Sequence, residues 1–226
     1  MVAGRQSRVA SNAINYMIRG SICKKCRRAG QKLFLREERC FTVKCAMVKK
    51  PYPPGMKAKK HRSALSEYGT QLAEKQKARR IYGINERQFR KYFAEATRSK
   101  GVLTDVLLAK LETRLDNVVF RLGIAGSRAK TRQIVNHGHI LLNNHKVDIP
   151  SINVKKDDTI EIRKGSLKKA LFKDLGAKLK KQTIPSWLSV EPKENGEFKA
   201  TVLGIPDSSQ VEIPVDLAMI VEFYSR

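Results

Sequence analysis

The four cysteines of the chain stand at Cys23, Cys26, Cys40 and Cys45, in a C-x2-C-x13-C-x4-C spacing. Two close pairs separated by a loop can bring four thiolates to one tetrahedral Zn²⁺. Lys24, Lys25, Arg27, Arg28 and Lys44 surround them, and a cationic setting favours the thiolate form that binds metal. With every ligand supplied by protein, such a centre is structural and leaves no position for substrate. The segment has few core-forming residues, so a metal would hold a fold that packing alone cannot. An iron–sulfur cluster uses the same four ligands, and spacing does not separate it from zinc. Disulfides suit secreted chains, and nothing here signals secretion. Four unligated thiols are the remaining reading.

A second set of residues is suited to phosphate. Leu115, Val118, Val119, Leu122, Ile134 and Val135 recur at helical spacing and are expected to be buried. That leaves Arg114, Arg121, Arg128, Lys130 and Arg132 outside, with Gln133 beside them. Ser127 is placed to cap a helix whose free N–H groups would face a phosphate, and arginine adds bidentate contact. His137 and His139 end this unit as turn or phosphate hydrogen-bonders, since the cysteines complete a metal site without them. Further cations stand on the first long helix (Lys75, Lys77, Arg79, Arg80) and in the loop Lys57, Lys59, Lys60, Arg62.

Charge supports a polyanionic partner. The 226 residues carry 46 Lys+Arg against 21 Asp+Glu, a net charge of +25. A fold gains nothing from that excess, whereas nucleic acid releases a condensed counterion for each neutralised phosphate. The distribution is uneven: 17 basic against 2 acidic residues over 1–62, 26 against 12 over 63–190, and 3 against 7 over 191–226. The last segment is a poor phosphate binder, suited to packing or to a basic protein partner. No apolar run approaches the roughly 18 residues of a spanning helix, so we expect no membrane partner.

The elements that position these groups follow from the pattern. Prolines make 49–62 a loop. Helices are expected over 66–82, ended by Gly83; from Asn85, whose pairing with Gln88 resembles a capping box; from Thr104 as one helix carrying Leu107, Leu111, Leu115, Val118 and Leu122; and from Ser127 to Val135. Residues 139–149 read as a β-hairpin turning at Asn143-Asn144, which tolerate positive φ. Strands follow over 158–163, 187–190, 198–203 and 220–224, with a helix through Leu167, Leu171, Leu175 and Leu179. The fold class is α+β: a zinc-pinned N-terminal arm (1–48), a helical domain (49–110), an inserted RNA-binding domain of helices and a small antiparallel sheet (111–208, core 111–165), and a tail (209–226).

Several segments together resemble a known family. They are Arg114-Leu115-Asp116-Asn117-Val118-Val119-Phe120-Arg121-Leu122-Gly123, the Ser127-to-Ile140 stretch with its hairpin, Leu65-Ser66-Glu67-Tyr68-Gly69, Arg80-Ile81-Tyr82-Gly83, Trp187-Leu188 and the terminal Ile220 to Arg226. With the four-cysteine spacing they resemble the zinc-bearing, bacterial-type S-four family of small-subunit ribosomal proteins, over roughly residues 20–226. The resemblance implies a structural constituent of the ribosome, ribosome-bound in the cytoplasm, with an organelle ribosome as the alternative. It implies direct binding to the 5′ domain of small-subunit rRNA, nucleation of subunit assembly, contact with neighbouring ribosomal proteins, and a place where mRNA enters that bears on translational accuracy. The basic loop Lys57 to Arg62 matches the segment that lines that channel, and the family tail packs on the helical domain. The chain departs from the family in its longer N-terminal arm, in Asn144 where glycine is common, and in Gly55-Met56-Lys57 where the family has Gly-x-His-Gly.

The rival class is an enzyme. Pseudouridine synthases carry a similar RNA-binding domain and a catalytic aspartate in an Arg-Leu-Asp context, which Arg114-Leu115-Asp116 superficially matches. No remaining segment is long enough for a catalytic domain, and Asp116 is expected to pair with a nearby arginine.

Overall fold

A computed structural model describes residues 22–55, 64–172, 175–176, 183–192 and 198–226. The 1–21 arm and the basic loop residues Lys57, Lys59, Lys60 and Arg62 lie outside the described residues. The chain divides into two compact units, Met1–Ser66 and Glu67–Arg226.

In the first unit, helix α1 (Ile22–Ala29) is followed by a 3-10 turn (Glu37–Cys40) and a single turn of helix, α2 (Ala46–Lys49). Among its described residues, Leu33 and three cysteines are the buried hydrophobic ones. The proline segment returns to α1 through Arg27, whose Nε and Nη2 donate to the carbonyls of Tyr52 (2.8 Å) and Pro53 (3.3 Å). The Arg27 guanidinium also lies over the Tyr52 ring.

The second unit begins with α3 (Glu67–Tyr82), α4 (Glu86–Thr97), α5 (Leu103–Glu112), α6 (Leu115–Arg121) and α7 (Arg128–Asn136). Asn85 caps α4 by accepting from Gln88 N at 2.8 Å, as its sequence suggests. Thr104 does not cap α5; Val102 holds that position without a side-chain bond. The single helix expected through Leu122 is instead two. Arg114 adopts an extended conformation between them and bridges to Asn153, while Leu115 N donates to Ile152 O at 2.8 Å. Helical spacing of the leucines persists across the break because both helices bury the same side, so periodicity could not reveal it.

The sheet is formed by β1 (Ile140–Leu142), β2 (His145–Val147), β3 (Thr159–Ile162), β4 (Leu188–Pro192) and β5 (Phe198–Val202), in antiparallel order β2-β1-β3-β5-β4. Asn143 and Asn144 turn the hairpin with φ of 50° and 66°, the positive pair a type I′ turn requires. Ile140, Ile160, Ile162, Phe198, Ala200 and Val202 join the α6–α7 leucines and valines in one core. This is the expected α+β fold with a small antiparallel sheet. The helix expected through Leu167 to Leu179 is broken: α8 (Lys164–Leu167) and a 3-10 turn (Ala170–Phe172) replace its first part, and Leu179 lies outside the described residues. Glycines at 165 and 176 lower the helix propensity of that stretch.

The strand expected at 220–224 is a helix, α9 (Leu217–Ser225). Its β-branched and aromatic run suggested a strand. Asp216 overrides that preference by accepting from the N–H groups of Ala218 (2.9 Å) and Met219 (3.3 Å), and Ile220 is fully buried. Helix α9 packs on α3 and α5. Tyr224 Oη donates to Glu86 at 2.7 Å, and Gln71 Nε2 donates to Glu222 at 3.0 Å.

Candidate nucleic-acid interface

Helices α5, α6 and α7 bring the predicted arginines together, but as a buried ion network and not as an open face. Asp116, 2% exposed, is its first hub. Arg114 Nε and Nη2 donate to the two Asp116 oxygens at 3.0 and 2.9 Å, and Arg132 Nε donates to Oδ2 at 2.7 Å. Arg132 also donates to the carbonyls of Gly83 (2.6 Å) and Tyr82 (2.9 Å), tying α7 to the end of α3. Gly83 has φ +64, and a Cβ there would lie 3.2 Å from Arg132 Nη1. A side chain at 83 is thus disfavoured twice, by backbone conformation and by the guanidinium.

Glu112 is the second hub and is fully buried. Arg121 grips it through Nε and Nη2 at 2.8 and 2.9 Å, Asn117 Nδ2 donates at 2.8 Å, and Tyr82 Oη donates at 2.6 Å. Arg128 Nη2 stands 3.9 Å from it, while Arg128 Nε donates to Asn117 Oδ1 at 2.7 Å. The Arg128 guanidinium is layered against the Tyr82 and Phe120 rings. Burial pushes the Glu112 carboxyl up, but Arg121, then Arg128 and Tyr82, outweigh it and hold it below the ordinary carboxylate range. Burial lowers the Arg128 pKa. In Arg114 the Asp116 carboxylate outweighs burial and raises it.

This corrects the sequence reading, which placed Arg114, Arg121, Arg128 and Arg132 outside. Arg114 and Arg132 are buried and Arg121 and Arg128 are half-buried. Periodicity marks which apolar residues face inward, and the acids that draw arginines in with them stand in that same stripe. Glu112 and Asn117 were missed; an acid beside Leu111 within a leucine-lined helix was the available signal. Asp116 does pair with arginine, as expected.

The other predicted cations divide. Lys75 is buried, 3.1 Å from Glu86, with its ammonium over the Phe223 ring. Arg79 Nη1 is 2.7 Å from the same carboxylate, and Lys77 pairs with Glu74. These helix α3 residues help fix α4 and α9, and Arg80 is half-buried. Burial raises the Glu86 carboxyl, but Tyr224 and Lys75 bring it below its ordinary value. Ser127 is buried and caps α7, accepting from Lys130 N at 3.4 Å. Lys130 is half-buried, and Gln133 and His137 are exposed at one end of the same helix. His139 is buried with Nδ1 2.9 Å from Ser166 Oγ.

Around His139 the surface is cationic. Its pKa is lowered first by burial and then by Lys169, His137 and Arg163. Lys146 crosses Gly138 so closely that a Cβ there would stand 2.3 Å from its Cε. Lys146, Lys155, Lys156, Arg163, Lys168 and Lys169 are all exposed. Sequence reading passed over them because strand patterning, not charge, drew attention to 139–169.

In the first unit, Cys26, Cys40 and Cys45 are buried and Cys23 is half-buried, all as free thiols. Burial pushes the Cys26 thiol up, a backbone hydrogen bond at Leu33 pulls it down, and Cys40, Cys23 and Cys45 push it up again. The Arg36 N–H donates to Cys40 Sγ at 3.3 Å. Four thiols in one short unit are a donor set that suits zinc chemically. Among the described residues, however, no three His, Cys, Asp or Glu side chains converge closely enough to hold a metal ion.

Comparison with known proteins closes the case. Residues 17–112 match the family described as ribosomal protein S4/S9 N-terminal domain, and residues 113–160 match the S4 domain. The chain is 48% identical over 206 residues to the small ribosomal subunit protein uS4 of Syntrophomonas wolfei, covering 91% of this chain and 97% of that one. It is 49% identical over 207 residues to uS4 of Natranaerobius thermophilus and 45% identical to uS4 of Thermus thermophilus, covering 92% of this chain and 98% of each relative. The chain belongs to the uS4 family of small ribosomal subunit proteins.

Proposed function

We propose that the chain is a structural constituent of the small ribosomal subunit that binds its rRNA directly and catalyses no reaction. Near-full-length similarity to relatives named as small-subunit proteins carries this reading. The net charge of +25 and the exposed cations from Lys146 to Lys169 support it. In this account the arginine network is the frame: it fixes α5, α6 and α7 so that the hairpin and its Lys146 stand at a defined distance from α7. Phosphate contact falls to those exposed side chains, to Gln133 and His137, and to the basic loop Lys57 to Arg62.

The finer assignments are proposals of the same reading: the 5′ domain as rRNA target, an early role in assembly, neighbouring ribosomal proteins as partners, and a place where mRNA enters. The setting is a cytoplasmic ribosome. Zinc belongs here too. Cys23, Cys26, Cys40 and Cys45 would hold it, and the metal would cross-link a unit with little core. An iron–sulfur cluster on the same ligands is distinguished by its visible absorbance.

The synthase reading loses its one residue. Asp116 is buried and held by two guanidinium groups, which leaves it no approach to a base. Co-sedimentation with small subunits through a high-salt sucrose gradient tests the proposal. Recovery in the small-subunit peak is expected; recovery only among free proteins would overturn it.

A further inference from the structure

The first unit displays an aromatic pair that folding does not account for. Phe34 is 48% exposed and Phe41 77% exposed, yet their rings stack with centroids 5.2 Å apart and an interplanar angle of 28°. Phe34 has φ +48, in the left-handed region that side chains with a Cβ avoid. Strain of that kind persists where the surrounding structure enforces it, and it clusters at functional sites. Here burial offsets that strain only in part, because Phe34 stays 48% exposed. The stretch is cationic: Lys32, Arg36, Arg39 and Lys44 are exposed in it, against the acids Glu37 and Glu38.

We propose that the Phe34–Phe41 stack is a platform for one unpaired RNA nucleobase, with the flanking phosphates held by those four cations. An aromatic face accepts any base, and a basic rim tracks the backbone on either side of it. A docking site for an apolar protein surface would gain nothing from four exposed cations in the same stretch of chain. The proposal rests on the RNA-binding reading above and adds a base contact to it.

The test uses the full-length protein, a single-stranded RNA oligonucleotide of mixed sequence, and an oligonucleotide of equal length with abasic riboses. Phe41→Leu keeps an exposed apolar side chain and removes the ring, and its melting temperature should match that of the unaltered protein. It should bind the RNA about 5- to 150-fold more weakly, the worth of one stacked base. The salt dependence should stay unchanged, because no phosphate contact is lost. Phe41→Trp places an exposed indole in the stack, and the native Trp187 is buried. Intact RNA should quench that indole; the abasic strand should not. Equal RNA affinity of Phe41→Leu and the unaltered protein would overturn the proposal and leave the patch to a protein partner. Equal binding of intact and abasic strands would also overturn it. Failure of the unaltered protein to bind RNA at all would instead bring down the RNA-binding reading, and this proposal with it.

Discussion

Glu112→Gln tests whether the buried network holds the second unit together. The substitution preserves shape, removes the negative charge at the second hub, and turns one acceptor into a donor. Arg121, bonded at 2.8 and 2.9 Å, loses its anion. Arg128, 3.9 Å away, loses the carboxylate nearest to a guanidinium whose charge burial already disfavours. Asn117 and Tyr82, both donors to Glu112, can then face an amide N–H₂. Removing one partner of a buried ion pair costs about 3–5 kcal/mol. In a domain of this size each kcal/mol moves the melting temperature by about 2–4 °C, so Glu112→Gln should lower Tm by roughly 6–20 °C. Urea unfolding followed by circular dichroism should show a reduced midpoint with an unchanged slope. Glu112→Leu combined with Arg121→Met replaces the main pair with apolar groups and should recover part of the loss. A loss under about 1 kcal/mol, the range of exposed pairs, would refute the argument that this network frames the fold.

Further outcomes follow from the same geometry. Glu112 has its pKa held below the ordinary 4.5 in the folded state, so its contribution is fully present above that value and is lost as pH falls through the folded pKa. Thermal melts from pH 7 downward should show this, and Glu112→Gln should flatten the acid limb. Gly138→Ala places a Cβ at φ +65 against Lys146 and should cost about 1–2 kcal/mol, measurable by urea midpoint. Lys168→Ala and Lys169→Ala, both exposed, should each flatten the log–log salt dependence of rRNA binding by about 0.7–0.9 if they meet phosphate. An unchanged slope for both would remove them from the interface. Metal analysis of the purified protein should return about one zinc per chain; no metal with four titratable thiols would end the zinc proposal.

Much of the fold was legible, and what was not has physical reasons. Caps at Asn85 and Ser127 and the Asn143-Asn144 turn are local, and local chemistry specified them. The break at Arg114 was invisible because the leucine spacing runs straight through it. The terminal helix was misread because Ile220, Val221, Phe223 and Tyr224 favour strands in isolation, while packing on α3 and a capping Asp216 decide otherwise. The interface was harder. A sequence shows that Arg114 and Arg132 lie off the apolar stripe, but not that Asp116 and Glu112 draw cations inward. The charged residues that stay outside, Lys146 to Lys169, stand in short strands and turns with no motif to single them out. Counting charge identified the class of partner; only the fold separates arginines that hold the frame from exposed lysines that can meet phosphate.

The central proposal is direct binding to small-subunit rRNA at its 5′ domain. Its most direct test is equilibrium binding of the purified chain to a transcript of the 5′ domain, beside an unrelated structured RNA of equal length, across a salt series. The account predicts a preference for the 5′-domain transcript that survives at salt concentrations where the unrelated RNA dissociates. Identical affinities and identical salt slopes for the two RNAs would contradict it.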